Sequence, residues 1–140
     1  MKMQTTPSPQ WKTVDSRERN RAEPVEIWKA RNFIHAHSDE ELSLTRVAKA
    51  ANISPNYLSE KFRQVTGVNF VKYVARTRYE NARVLLHDVD LRISEIAFAT
   101  GFQSLSQFNR VFKKFSGKSP TEYRSLARAK GKRRRRARIL

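Results

Sequence analysis

Along residues 101–117, GFQSLSQFNRVFKKFSG, apolar and polar positions follow the period of a helix rather than a strand. Phe108, Val111, Phe112 and Phe115 recur at i, i+3, i+4 and i+7, which places them on one face of an α-helix. Ser106, Asn109, Arg110 and Lys113 recur with the same spacing on another face, and they mix hydrogen-bond donors, acceptors and cations. The pattern occurs twice in the chain. Val47, Ala48, Ala51 and Asn52 reappear 49 residues later as Ile96, Ala97, Thr100 and Gly101. Ser54, Leu58, Phe62, Gly67 and Tyr73 reappear 50 residues later as Ser104, Phe108, Phe112, Gly117 and Tyr123. One extra residue in the second turn accounts for the change of offset.

Each copy predicts a short helix, a tight turn and a second helix. Residues 44–51 and 93–100 carry the apolar stripe of the first helix. Asn52 and Gly101 then stand where the chain must turn, and these residue types most readily take positive φ. Ser54 with Pro55 supplies an N-cap with proline at the first helical position, and Ser104 with Gln107 supplies a capping box. Residues 25–37 predict an amphipathic helix with Ile27, Ala30, Phe33 and Ile34 inward and Trp28 covering the same side. Residues 69–86, N-capped by Asn69 and free of Gly and Pro, predict one connecting helix about 27 Å long at 1.5 Å per residue. A last short helix starts at Ser119, Pro120 and Glu122 and carries Tyr123. No strand pattern is present, so the expected class is all-α.

These elements divide the chain. Residues 1–23, rich in Thr, Pro, Ser, Gln and charge, predict a disordered arm. Residues 24–124 form the folded part, with one helix-turn-helix at about 44–66, the connecting helix at 69–86 and a second helix-turn-helix at about 93–116. Nine Lys or Arg and no acid follow Tyr123. Self-repulsion predicts that residues 125–140 form an open basic tail, read either as a solvated charge run or as a contact for phosphates.

Charge changes the picture. Lys plus Arg number 29 against 13 Asp plus Glu, a formal net charge of +16, so the chain attracts polyanions before any specific contact forms. No apolar run approaches the roughly 20 residues needed to span a bilayer. The N-terminus, MKMQTTPSPQ, lacks the apolar region of a signal peptide, so a cytoplasmic protein without a membrane partner is expected. The absence of Cys excludes disulfides, thiolate nucleophiles and cysteine-ligated zinc. No Ser, His and Asp arrangement or Gly-rich phosphate loop is present, and His35 and His37, two apart on a helix, point to different sides. Neither an enzyme, a metal site nor a cofactor is expected.

Two helices joined by a tight turn are the unit whose second helix lies in the DNA major groove. The polar row of the first copy is Asn56, Ser59, Glu60 and Arg63; that of the second is Ser106, Asn109, Arg110 and Lys113. Groove reading needs this mixture, because guanine offers two acceptors to Arg, adenine a donor and an acceptor to an amide, and cytosine a donor to a carboxylate. The expected partner is therefore double-stranded DNA. A connecting helix of about 27 Å would hold the two reading helices near one DNA turn apart, about 34 Å, and a monomer would see a bipartite site without dimerising. The competing reading is a non-specific architectural nucleic-acid binder whose affinity comes from the +16 charge.

Residues from about 24 to 124 resemble the DNA-binding domain of the AraC/XylS transcription regulators. The likeness is densest over RYENARVLLHDVDLRISEIAFATGFQSLSQFNRVFKKFSGKSPTEYR. The resemblance implies a seven-helix domain of two helix-turn-helix units, sequence-specific promoter binding in a bacterial, nucleoid-associated setting, and activation through RNA polymerase. It places base contacts on Asn56, Ser59 and Glu60 in the first reader and on Ser106, Asn109 and Arg110 in the second. Glu60 stands where relatives commonly have Arg or another donor, and is read either as accepting from a cytosine or as holding Arg63. Tyr79 replaces the usual aliphatic residue of the connecting helix. Most relatives carry a sizeable ligand-sensing domain, so this chain resembles either the short stand-alone members or the C-terminal piece of a longer regulator. Phosphate contacts position without specifying. Lys61, Arg63, Arg76, Lys113, Lys114 and Lys118 are the candidates, with the amides at the helix starts near Asn69 and Ser119, where the dipole favours an anion.

Overall fold

The computed structural model describes residues 22–88 and 90–139, with side chains as far as Gly131. Among these residues there are seven helices and no strand: α1 (Val25–His37), α2 (Leu44–Ala51), α3 (Pro55–Thr66), α4 (Phe70–Leu85), α5 (Ile93–Ala99), α6 (Leu105–Ser116) and α7 (Pro120–Ile139). The all-α, seven-helix reading holds. The chain divides into two units, one ending at Thr77 and one beginning at Arg78, and α4 supplies residues to both.

In the first unit Ile27, Ile34, Val47, Leu58, Phe62 and Tyr73 are fully buried. The Phe62 ring meets Tyr73 edge-on at 4.9 Å and Phe70 at 6.2 Å. In the second unit Leu86, Ile96, Phe108 and Phe112 are buried to the same degree, and Phe112 meets Tyr79 at 4.9 Å and Tyr123 at 5.3 Å. Tyr79, the unusual residue of the connecting helix, thus fills the second core, where it also stacks near Phe115. Each such aromatic contributes about 1.5–3 kcal/mol through burial, so these rings fix how every helix is rotated about its own axis.

The turns repeat as the sequence repeats. Asn52 takes φ 61° and Gly101 φ 100°. Two residues bridge each turn in the same way: Ile53 N–H donates to the Ala48 carbonyl and Phe102 N–H to the Ala97 carbonyl, both at 3.0 Å. Gly67 and Gly117, at φ 81° and 80°, close α3 and α6. Their amides donate to Arg63 and Lys113. The extra residue of the second turn is Gln103. Its N–H donates to the Gln107 side chain at 2.9 Å, so Gln107 serves the residue before the N-cap rather than Ser104 itself, while Ser104 Oγ accepts from Gln107 N–H at 3.0 Å. The capping box read from the sequence is displaced by that one insertion.

Two boundaries differ from the sequence reading. Residues 1–21 of the expected arm lie outside the described residues, but Glu23 belongs to the fold. It is 6% exposed, and its carboxylate accepts from Arg31 Nε and an Arg31 terminal nitrogen at 2.5 and 2.6 Å. At the other end α7 continues as helix to Ile139, where self-repulsion led us to expect an open tail over 125–140. The physical reason is nucleation followed by propensity. Ser119 and Glu122 exchange backbone-to-side-chain bonds at 3.1 and 3.2 Å, and buried Arg124 donates to the Leu86 and Asp88 carbonyls at 3.1 and 3.0 Å. Beyond that anchored turn the chain is mostly Ala, Arg and Lys, good helix formers with only Gly131 as a weak point.

Candidate nucleic-acid interface

α3 starts where Ser54 Oγ accepts from Tyr57 N–H at 3.1 Å, with Pro55 at the first helical position. Leu58 and Phe62 are locked into the first core, so the opposite side of α3 has no choice but to face water. Asn56, Ser59, Glu60 and Arg63 are all exposed there. α6 repeats the arrangement: Phe108 and Phe112 are fully buried, and Ser106, Asn109, Arg110 and Lys113 are all exposed. Both polar rows therefore stand on solvent, each fixed by its own unit's core. Among the described residues no ion pair joins Glu60 to Arg63, which leaves the Glu60 carboxylate available to an outside donor.

The candidate phosphate contacts are less uniform. Arg63, Lys113, Lys114 and Lys118 are exposed. Lys61 is half-buried beside Glu26, whose carboxyl is held below the usual range by its own backbone amide, by the Tyr57 hydroxyl and by Lys61. Arg76 is half-buried on α4, its Nε inside the fold. At the α4 start, Asn69 Oδ1 accepts from Lys72 N–H at 2.8 Å. At the α7 start, Ser119 N–H donates to the Glu122 carboxylate at 3.1 Å. The amide read as open to phosphate is engaged there, because the sequence put the capping acid three residues on. The bond also holds the Glu122 carboxyl below its ordinary range.

Two exposed side chains escaped the sequence reading. Leu105, the first residue of α6, is 41% exposed, and an apolar group at that place suits the methyl of thymine. It was missed because the search was for polar rows, although its position directly after the Ser104 cap could have marked it. Tyr57, on the N-terminal turn of α3, is also 41% exposed and donates its hydroxyl to the Glu26 carboxylate at 2.7 Å. That bond ties the reading helix to the start of α1.

The two histidines have separate environments. His37 Nδ1 lies 2.8 Å from the Glu40 carboxylate near the surface. His35 Nε2 lies 2.8 Å from the Tyr73 hydroxyl. Burial, with the Arg31 guanidinium nearby, pushes the His35 pKa down to about 4, and burial pushes Tyr73 up to about 12.

Two helix-turn-helix units, each with a buried aromatic stripe and an outward row of amide, hydroxyl and guanidinium groups, define a double helix-turn-helix domain. A helix-turn-helix domain family model matches residues 47–125, and the chain belongs to the AraC-type helix-turn-helix family of transcriptional regulators. It is 40% identical over 94 residues to YijO, an uncharacterized HTH-type transcriptional regulator of Escherichia coli, which covers 67% of this chain and 33% of that protein. An HTH-type regulator of Staphylococcus aureus is 37% identical over 93 residues, 66% of this chain and 12% of that protein. The chain thus spans about a third or less of these relatives. Among solved structures, the C-terminal domain of AraT, a response regulator from Geobacillus stearothermophilus, superposes with a TM-score of 0.72 at 36% identity, covering 76% of this chain and 88% of that one. The DNA-binding domain of AdpA, a global transcriptional factor solved in complex with a target DNA, gives 0.71 at 26% identity, covering 75% and 95%. No helix among the described residues is long and apolar enough to cross a membrane.

Proposed function

We propose that the chain binds a bipartite duplex DNA site sequence-specifically, placing α3 and α6 in successive major grooves. The observation that carries this reading is the repeated outward row: Asn56, Ser59 and Glu60 on α3, and Ser106, Asn109 and Arg110 on α6, all exposed while the other side of each helix is locked in a core. Arg110 fits guanine, the amides of Asn56 and Asn109 fit adenine, and Glu60 fits the amino group of cytosine. Leu105 adds an apolar probe. Arg63, Lys113, Lys114 and Lys118 take phosphates on either side of the reading helices, with Lys61, Arg76 and Asn69 as further positioning contacts. The AdpA domain, whose structure holds a target DNA, supports a duplex as the ligand. On this reading RNA polymerase is the further partner through which promoter binding becomes activation. The domain acts as a monomer because one chain carries both readers, and the protein works in the cytoplasm on nucleoid DNA.

Selection of bound fragments from random duplex DNA tests the proposal. A motif with two information-rich blocks about one helical turn apart is the expected result. A single block would remove one reader. No motif at all would favour the second reading, an architectural binder sustained by the +16 charge.

A further inference from the structure

Tyr57 and Glu26 stand 31 residues apart in the chain, yet the Tyr57 hydroxyl donates to the Glu26 carboxylate at 2.7 Å. Glu26 lies in the first turn of α1, where Pro24 offers no side-chain cap, and its carboxylate accepts from its own amide as well as from Tyr57. Lys61, one turn further along α3, adds its charge to the attraction on the same carboxylate. One acid at the start of α1 thus faces two side chains of the first reading helix.

The place of those side chains gives the contact its meaning. At about 100° per residue Tyr57 and Lys61 fall within about 40° of each other, on the edge of α3 between the buried side of Leu58 and Phe62 and the exposed row of Asn56, Ser59, Glu60 and Arg63. A tie on that edge opposes rotation of the helix about its axis. In a helix about 10–12 Å across, a turn of about 10° moves a side-chain tip by about 1 Å. Hydrogen bonds to base edges hold only over about 2.7–3.2 Å, so a shift of that size exchanges one base contact for another or for none. The core rings set the rotation coarsely, because apolar burial is non-directional. A directional bond at the end of α3 that meets the bases sets it finely. The second reader starts otherwise: Gln107, the matching residue of α6, turns its side chain to Gln103 N–H at 2.9 Å, within its own turn.

We infer that Glu26 and Tyr57 are positioning residues for base discrimination by α3. Neither belongs to the reading row, and together they fix the rotation at which Asn56, Ser59 and Glu60 meet the bases. The inference rests on the two-reader proposal and gives the α3 half of the site a control separate from that of the α6 half.

Tyr57→Phe keeps the ring and removes the hydroxyl. Affinity is measured for the selected site and for its single-base variants in both blocks, with Arg110→Ala marking the block that belongs to α6. Loss of one hydrogen bond is expected to flatten base preference in the α3 block by roughly three- to tenfold, and to leave preference in the distant α6 block within about twofold. Glu26→Ala should act in the same way, and the double variant no more strongly than either alone, because all three remove one bond. Glu26→Gln keeps an acceptor for the hydroxyl and should retain most of the preference. Unchanged preference in both blocks overturns the inference and leaves the two-reader proposal standing. Equal flattening in both blocks, or equal weakening of every duplex together with a loss of stability in urea, overturns it by showing that the bond serves only the fold. Additive losses in the double variant overturn it as well, since the two side chains would then act apart. A wild-type chain without any base preference refutes the two-reader proposal itself, and the inference with it.

Discussion

His35 offers a prediction whose size comes from its surroundings. The imidazole is enclosed between α1 and α4, with its Nε2 2.8 Å from the Tyr73 hydroxyl, and burial together with the Arg31 charge brings its pKa down from 6.5 to about 4. Between pH 4 and 6.5 the unfolded chain binds a proton at this residue and the folded chain does not. Stability therefore rises with pH through that window and falls as the solution is acidified. At pH 5 the folded state loses about 2 kcal/mol relative to pH 7 from this one group, at about 1.36 kcal/mol per unit of separation. The substitution His35→Gln keeps a polar partner for Tyr73 and removes the titration. Urea unfolding followed by tryptophan fluorescence, with Trp28 of α1 as a reporter of the first unit, is the assay. Wild type should weaken by about 2 kcal/mol more than the variant between pH 7 and pH 5. Parallel losses in the two proteins would refute the reasoning, because His35 would then not be held neutral by its site.

Three further predictions address recognition, turns and charge. Arg110→Ala should relax base preference at one position of the selected site and cost about 1–3 kcal/mol, while Lys114→Ala weakens selected and random duplexes alike; competition binding with single-base variants of the site separates the two. Asn52→Ala should cost about 1–2 kcal/mol, because alanine resists the φ of 61° held by the first turn, and Asn52→Gly should cost much less; thermal melts rank them. Glu23→Ala should cost about 3–5 kcal/mol, since Arg31 is 6% exposed and would be left as a buried charge without its carboxylate. Chemical denaturation checks it, and a loss near zero would mean that water reaches Arg31.

The duplicated architecture was legible because three local signals agree in each copy: an apolar stripe, a residue able to take positive φ, and a cap. Asn52, Gly101, Ser54, Ser104, Gly67 and Gly117 all do in the structure what their chemistry suggests. The outward rows followed from the same periodicity, since a helix that buries Phe108 and Phe112 must expose Asn109 and Arg110. What escaped was long-range or charged. Glu23 looks like one more polar residue of a low-complexity arm until Arg31, eight positions on, closes the pair. Arg124 reads as the first cation of a tail, yet its guanidinium is spent on two carbonyls 38 and 36 residues earlier. The helical course of α7 was hidden by an argument about repulsion that took no account of the strong cap and the Ala, Arg and Lys content. Leu105 was overlooked for the opposite reason, being apolar where polar groups were sought.

The guanidinium clamp of Arg124 also sets where this protein can be shortened. A fragment stopping at Tyr123 would keep every helix-turn-helix residue and still strip the carbonyls of Leu86 and Asp88, in the turn that follows α4, of a side-chain donor. Anyone preparing a shortened version should cut well past residue 124, or the second reader's scaffold will fray from its far side.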